Sequence, residues 1–359
     1  MKRFHKNLHP LAIEYLYEGL VLTESIYNYN GRTMLLPKGE VLDEYKIWKL
    51  KKFNHDYRNI CVHTKTFQEL ISNHSFLDNL DDKLSYSGLI KDSQVFYDGV
   101  KISNRISEQK AFELVSSISE KNVIQNPALI FQCINTERPI DQLLCRHSIN
   151  VSMLNALIGK WLNLSQDEIV MLMFIGVVHD IGKIKIPQDI LDAPRKLTEE
   201  EFDIVRKHPI FSYELLDAEG VDTRIKMAVR HHHEKCDGKG YPDGISNNQI
   251  SLYAKITAIS DVYDAMVSKR SYKSAICPFH ILNQFFHQEY SGLDNSLSDI
   301  FVNNMCINLR NKNVLMSNGT IGTIDIIMPN DIEHPIVSID GLVLQTNENC
   351  NCTRIIFNT

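Results

Sequence analysis

The stretch Val177–Lys185, VVHDIGKIK, closes an apolar run, Ile169–Val178, IVMLMFIGVV. The run is about half a membrane span and reads as a buried helix. It delivers an imidazole and a carboxylate, His179 and Asp180, with Gly182 and Lys183 close behind. Charged and metal-capable groups at the end of a buried helix are costly unless something compensates them. A metal is the usual compensation, and the neighbouring sequence decides whether other ligands exist to hold one.

From about residue 125 to 310 the pattern is helical. SINVSMLNALIGKWLNL has helical apolar spacing, and SQDE then opens the next helix with a capping-type sequence. Thr198-Glu199-Glu200-Glu201 repeats the signal after the loop at Pro194. Tyr241-Pro242-Asp243-Gly244 reads as a turn, and the helix after it, AKITAISDVYDAMV, carries Asp261 and Asp264. The histidines cluster in the same region: His147 in RHSIN, His208 in KHP, and the run His231-His232-His233. Imidazole and carboxylate together suit divalent Fe, Mn, Zn or Ni. A carboxylate can bridge two ions that share one hydroxide, and such a pair clamps both oxygens of a phosphoryl displacement. A lone buried histidine is more often a satisfied core residue, and His147 or His208 alone would be read so. Independent structural reasons for the whole set are improbable.

HDIGKIKIP, KHP, HHEKCDGKGYPDGI and ISDVYDAMVSKRSYK follow one another in that order. The series resembles the HD-GYP family of cyclic di-GMP phosphodiesterases, within the HD-domain metal-dependent phosphohydrolases, over residues 125–310. The resemblance implies a mainly α chain, a helical HD-GYP bundle. It also implies metal ligands His147, His179, Asp180, His208, His232, His233 and Asp261, with Asp180 as the bridge and His231 outside the ligand set. It makes Asp180 and Lys183 catalytic, Lys183 approaching a phosphate or the leaving oxygen. Arg270 and Lys273 would hold substrate phosphate by charge-assisted hydrogen bonds, although by themselves they read equally well as a solvated helix end. Asp264 lies one turn beyond Asp261, where it either orients a ligand or is a surface aspartate. The GYP loop shapes the site or docks a signalling partner, with a structural loop as the equal alternative. Some family members hold a third metal with a glutamate one turn before the first histidine. That position is Leu143 here, which cannot ligate, and Asp141 lies off that face, so two ions are expected. Lys235 stands where an arginine is common and cannot reproduce its bidentate contacts.

Residues 1–63 read as a small α/β module, either a sensory or regulatory unit or, more simply, a structural cap on the next domain. LYEGLVLTESIYNYNGRTMLLPKGEVL alternates around an Asn30-Gly31 turn, EYKIWKLKKF is a short amphipathic helix, and ICVHT is a returning strand. Residues 64–124 are polar and read as a helical connector. Residues 311–359 alternate, with turns at Asn318-Gly319 and Asp340-Gly341, and form a small β appendage that caps the bundle or contributes to a dimer. A net charge of −6 argues against a polymeric nucleic acid or a membrane as partner. Eight scattered cysteines without a CxxC, and no secretory pattern at the start, predict reduced thiols in the cytoplasm. The expected activity is hydrolysis of cyclic di-GMP to pGpG, and on to GMP after a second cleavage. The alternatives are a cyclic di-GMP receptor with little catalysis and a hydrolase of a mixed cyclic dinucleotide.

Overall fold

The computed structural model describes residues 8–12, 22, 25–27, 34–43, 45–47, 50, 59–63, 86–120, 143–193, 195–267, 277–339, 341–347 and 352–356. The chain divides into two compact units, Met1–Asp82 and Lys83–Thr359.

In the first unit, β1 (Leu8–Ala12) pairs antiparallel with β4 (Asn59–His63), and β2 (Ile26–Tyr27) with β3 (Met34–Leu36). The ICVHT segment is therefore a returning strand, as its alternation predicts. Helical residues at 45–47 and 50 supply Ile47 and Leu50 to a small core with Leu22, Ile26, Leu36 and Leu42. The Asn30-Gly31 turn lies outside the described residues.

The second unit is a helical bundle followed by an antiparallel sheet. Its helices begin inside the stretch read as a connector. These are α1 (Tyr86–Ser103) and α2 (Glu108–Glu120), which pack on α3 (Leu143–Trp161) and α4 (Gln166–Val178) respectively. Buried Leu89, Phe96, Tyr97 and Val100 on α1, and Leu114 and Ile118 on α2, make these contacts possible. The apolar content that allows this burial is diluted by polar residues on the outer faces, which is why the sequence reads as a connector.

Helix α4 starts in a complete capping box: Glu168 N–H donates to Ser165 Oγ, and Ser165 N–H donates to Glu168 Oε2 at 2.9 Å. Its apolar run is buried from Leu172 to Val178. At Gly176 a Cβ would overlap the backbone of Ser152, so α3 and α4 approach closely only because the side chain is absent. Beyond α4 the chain makes a 3-10 turn (Ile181–Lys185), then α5 (Gln188–Leu191), α6 (Glu199–Val205), α7 (His208–Asp217) and α8 (Thr223–His231). Thr198 and Glu201 form the second capping box expected from the sequence. The last bundle helices are α9 (Leu252–Val267), α10 (Pro278–Phe286) and α11 (Asn295–Leu309).

The five-stranded sheet is built from β5 (Asn313–Met316), β6 (Ile321–Met328), β7 (Asp331–Ile339), β8 (Leu342–Gln345) and β9 (Cys352–Ile356), in the order β8-β7-β6-β5-β9. Buried Val314, Ile324 and Val337 alternate with more accessible neighbours, the signature of a sheet covered on one face. Helix α10 packs against β7.

Candidate metal centre

Most of the site side chains stand at helix ends. His147 is one turn into α3, and His179 is the residue on which α4 ends. Asp180 leads into the 3-10 turn, and His208 opens α7. His232 ends α8, His233 follows it, and Asp261 lies within α9.

Two close contacts draw these ends together. Gly182 N–H donates to Ser212 Oγ at 2.8 Å, and Ser212 Oγ donates to the His179 carbonyl at 2.9 Å. Ser212 thereby staples the HDIG turn to α7, which carries His208. A Cβ at Gly182 would overlap the His208 carbonyl and the Ser212 amide, so the motif glycine is required for this approach. Nothing in the sequence marked Ser212, whose role depends on a neighbour thirty positions away.

The donor atoms fall into two groups, His147, His179 and Asp261 in one, and Asp180, His208, His232 and His233 in the other. Asp180 faces both. Its Oδ2 is 3.5 Å from His179 Nε2 and 3.6 Å from His147 Nε2, whereas Oδ1 is 3.1 Å from His208 Nε2 and 3.8 Å from His232 Nε2. Asp261 also reaches across, with Oδ1 3.0 Å from His147 Nε2 and Oδ2 3.8 Å from His233 Nδ1. The imidazole nitrogens approach one another as well: His147 and His179 Nε2 at 3.3 Å, His208 and His232 Nε2 at 3.4 Å.

The tautomers decide what these contacts mean. Nδ1 of His179, His208 and His232 donates to the carbonyls of Gly176, Val205 and Val229 at 2.9, 2.7 and 2.6 Å. In a neutral ring that leaves a lone pair on Nε2. The rings therefore point lone pairs at Asp180 and at each other, and Asp180 Oδ1 is buried with no hydrogen-bond donor. Converging lone pairs with no proton between them fit a cation. Neighbouring ligands on one ion with bonds of about 2.1 Å lie roughly 3 Å apart or more, the range seen here. The cluster can hold divalent metal.

The electrostatics agree at His179, His232 and His233 and differ at His147. Burial pushes the His179 and His232 imidazoles below their ordinary value, and His233 down to about 3, keeping these rings neutral. Burial opposes the charge on His147 too, but the Asp261 and Asp264 carboxylates outweigh it and raise the ring to about 9. Burial also disfavours the Asp180 carboxylate, yet the ammonium of Lys183 against Oδ2 holds it well below the carboxylate range.

Asp264 is fully buried and accepts from His147 Nδ1 at 2.7 Å, so it orients a ring in the centre. It is not a surface aspartate. His231 turns away from the centre to Asp243, at 2.9 Å. The GYP loop is fixed from beneath: Glu234 Oε1 accepts from the Asp243 and Gly244 amides at 2.6 and 2.9 Å, and Arg230 grips Asp243 through two nitrogens at 2.6 and 2.7 Å. Tyr241, which precedes a cis proline, stacks on His233 with centroids 4.8 Å apart. Arg270 and Lys273 lie outside the described residues. Leu143 opens α3 one turn ahead of His147.

Comparison with known proteins matches the HD domain family to residues 132–285. The chain is 36% identical over 174 residues to the cyclic di-GMP phosphodiesterase PA4108 of Pseudomonas aeruginosa, covering 48% of this chain and 42% of that protein. It is 41% identical over 128 residues to the cyclic di-GMP phosphodiesterase response regulator RpfG of Xanthomonas campestris, covering 35% and 34%. With 3'3'-cGAMP-specific phosphodiesterase 1 of Vibrio cholerae it shares 33% over 164 residues, covering 45% and 38%. The chain thus spans less than half the length of these relatives. Among solved structures, Bd1817, an HDG"Y"P protein from Bdellovibrio bacteriovorus, has the same fold, with a TM-score of 0.51 at 12% identity over 83% of this chain and 99% of that one. Residues 132–285 of the helical unit thus match the HD domain family, across both the HD and the GYP motifs, and the fold is shared with Bd1817.

Proposed function

We propose that this chain is a metal-dependent phosphodiesterase that opens cyclic di-GMP to linear pGpG, with GMP as the product of a second cleavage. The observation that carries this is the pair of donor groups facing the two oxygens of one buried carboxylate, Asp180. The activities named for the relatives supply the substrate class.

In this reading His147, His179 and Asp261 would hold one divalent ion and His208, His232 and His233 a second, and Asp180 would serve both groups. Fe or Mn is the first choice and Zn or Ni the second. Such ions supply Lewis acidity, making an attacking water more acidic and neutralising the phosphoryl oxygens. The protein's own groups do the rest. The Gly176, Val205 and Val229 carbonyls keep three imidazoles in the ligating tautomer. Lys183, whose side chain is 26% exposed beside Asp180, meets an incoming phosphoryl oxygen or donates to the leaving oxygen. Arg270 and Lys273, assigned from the sequence, grip phosphate. Tyr241 walls the site above His233 and excludes water from that side. A cytoplasmic setting goes with this reading; no helix among the described residues is long and apolar enough to cross a membrane.

A second reading, hydrolysis of a mixed cyclic dinucleotide, is favoured by the likeness to a 3'3'-cGAMP-specific enzyme. Anaerobically purified protein loaded with Fe or Mn should be offered cyclic di-GMP and 3'3'-cGAMP in parallel. Conversion of cyclic di-GMP to pGpG at the higher kcat/KM is expected. A reversed preference would move the assignment to the mixed dinucleotide. Tight binding without hydrolysis would make the chain a receptor, and no turnover with Fe, Mn, Ni or Zn would end the enzyme reading.

A further inference from the structure

Helix α1 lies outside the segment that matches the HD domain family, yet it sends two tyrosines into the bundle interior. Tyr86, at the first position of α1, donates its hydroxyl to Asn150 Oδ1 at 2.6 Å. Asn150 Nδ2 donates to Asp264 Oδ1 at 2.8 Å, and Asp264 Oδ2 accepts from His147 Nδ1 at 2.7 Å. Tyr86, Asn150 and Asp264 are all buried, Asn150 and Asp264 completely. The polarity of the chain admits one arrangement. The carboxylate can only accept, so the Asn150 amide must face it with its nitrogen, and the amide oxygen must then meet a donor. Phenol, amide and carboxylate thus hold His147 with its Nε2 toward Asp180 and Asp261.

Tyr97, three turns further along α1, provides a contrast. Its hydroxyl lies 2.6 Å from Ser148 Oγ and donates to the Val177 carbonyl at 2.9 Å. It joins α3 to α4 without touching a ligand side chain. Two buried hydroxyls on one helix therefore differ in whether they reach the metal centre.

We propose that Tyr86 is a positioning residue for the metal centre, acting through Asn150 and Asp264 on His147. This rests on the metal-binding part of the function proposed above and is independent of which dinucleotide is cleaved. Outer partners of ligand histidines typically contribute 10- to 100-fold in metal affinity. Asp264, in direct contact, should lie in that range, and Tyr86, two links further out, should contribute about tenfold or somewhat less. The helix reaches this position directly after the boundary between the two units, so a displacement of its first turn would be felt at His147.

The test is Mn²⁺ titration of the metal-free full chain against a chelating indicator, with thermal unfolding recorded in parallel. Tyr86→Phe should weaken one of two Mn²⁺ equivalents by about tenfold. Tyr97→Phe should lower Tm at least as much and leave both affinities unchanged. In the double-mutant cycle, Tyr86→Phe should add nothing once Asp264→Asn is present, because the path to His147 is already broken. Unchanged Mn²⁺ affinity in Tyr86→Phe, equal weakening by Tyr97→Phe, or additive effects of the Tyr86 and Asp264 substitutions would each overturn the proposal. Failure to hydrolyse any cyclic dinucleotide would strike the proposed function and leave this result standing.

Discussion

The histidines of the centre are oriented in two different ways. His179, His208 and His232 each donate Nδ1–H to a carbonyl three residues back, on Gly176, Val205 and Val229. All three carbonyls belong to the last turn of a helix, where backbone oxygens have no intrahelical partner. A histidine at or just past a helix end is thus oriented by the chain that carries it. His147 lies one turn into α3, where the carbonyl three residues back belongs to the helix itself and accepts from Ser148 Oγ. Its acceptor is Asp264, from a helix more than a hundred residues away. Local orientation comes with the fold of one segment. Borrowed orientation exposes one ligand to substitutions elsewhere.

The largest effect should come from the residue that serves both kinds. Asp180→Asn keeps the volume but removes the charge that faces both groups. If the proposed function holds, turnover of cyclic di-GMP should fall by about 10³-fold or more, because several kcal/mol of charge stabilisation is lost. Metal analysis should show both equivalents weakened together. Loss of only one would mean that Asp261, which also reaches both groups, is the principal bridge.

Asp264→Asn breaks the borrowed orientation alone. Affinity for one metal equivalent should drop by about 10- to 100-fold while the second is retained. Equal loss at both sites would erase the distinction between His147 and the other rings.

What could be read from the sequence follows the same division. The resemblance named seven candidate ligands, and the structure brings them into two donor groups; HD, KHP and HH lie at helix ends whose capping and apolar runs are local signals. The strands of the last fifty residues were legible from alternation and from turns such as Asn318-Gly319, where Gly319 takes a φ of +85°. The partners that come from afar were not legible. Asn150 looks like any polar residue on an amphipathic helix, Ser212 has no motif, and Tyr86 sits in a polar stretch that resembles a connector. Asp264 was visible only as a spacing from Asp261, with either of two roles open. Each of these acts on a residue that only tertiary structure brings near.

Gly182→Ala would test the local half of the comparison. A methyl group there meets backbone atoms of α7, which cannot rotate aside as a side chain would. Overpacking of this kind costs about 1–3 kcal/mol, a Tm lower by several degrees for a unit of this size. Ser212→Ala should cost about 1–3 kcal/mol by leaving the Gly182 amide without its acceptor. Thermal unfolding of the metal-free protein would measure both, and a neutral Gly182→Ala would show that the HDIG turn is not tied to α7.

The smallest effect concerns the GYP loop, which is held by charge where the HDIG turn is held by close packing. Asp243 accepts from Arg230 and from His231, and the Arg230 guanidinium, against partial burial, brings its carboxyl down to about 2 from 3.8. A carboxyl depressed on folding stabilises fully above its unfolded value near 3.8. That contribution fades as pH falls from there through about 2. Because both partners are partly solvated, about 1 kcal/mol is expected. Urea unfolding of the parent and of Asp243→Asn should therefore differ by a constant amount from pH 7 to 5, and the difference should begin to close below pH 4. The Gly182→Ala difference should stay level over the same range, since it involves no titrating group. A gap for Asp243→Asn that is equally flat would mean the loop is anchored by the Glu234 contacts to the Asp243 and Gly244 amides, with the ion pair incidental.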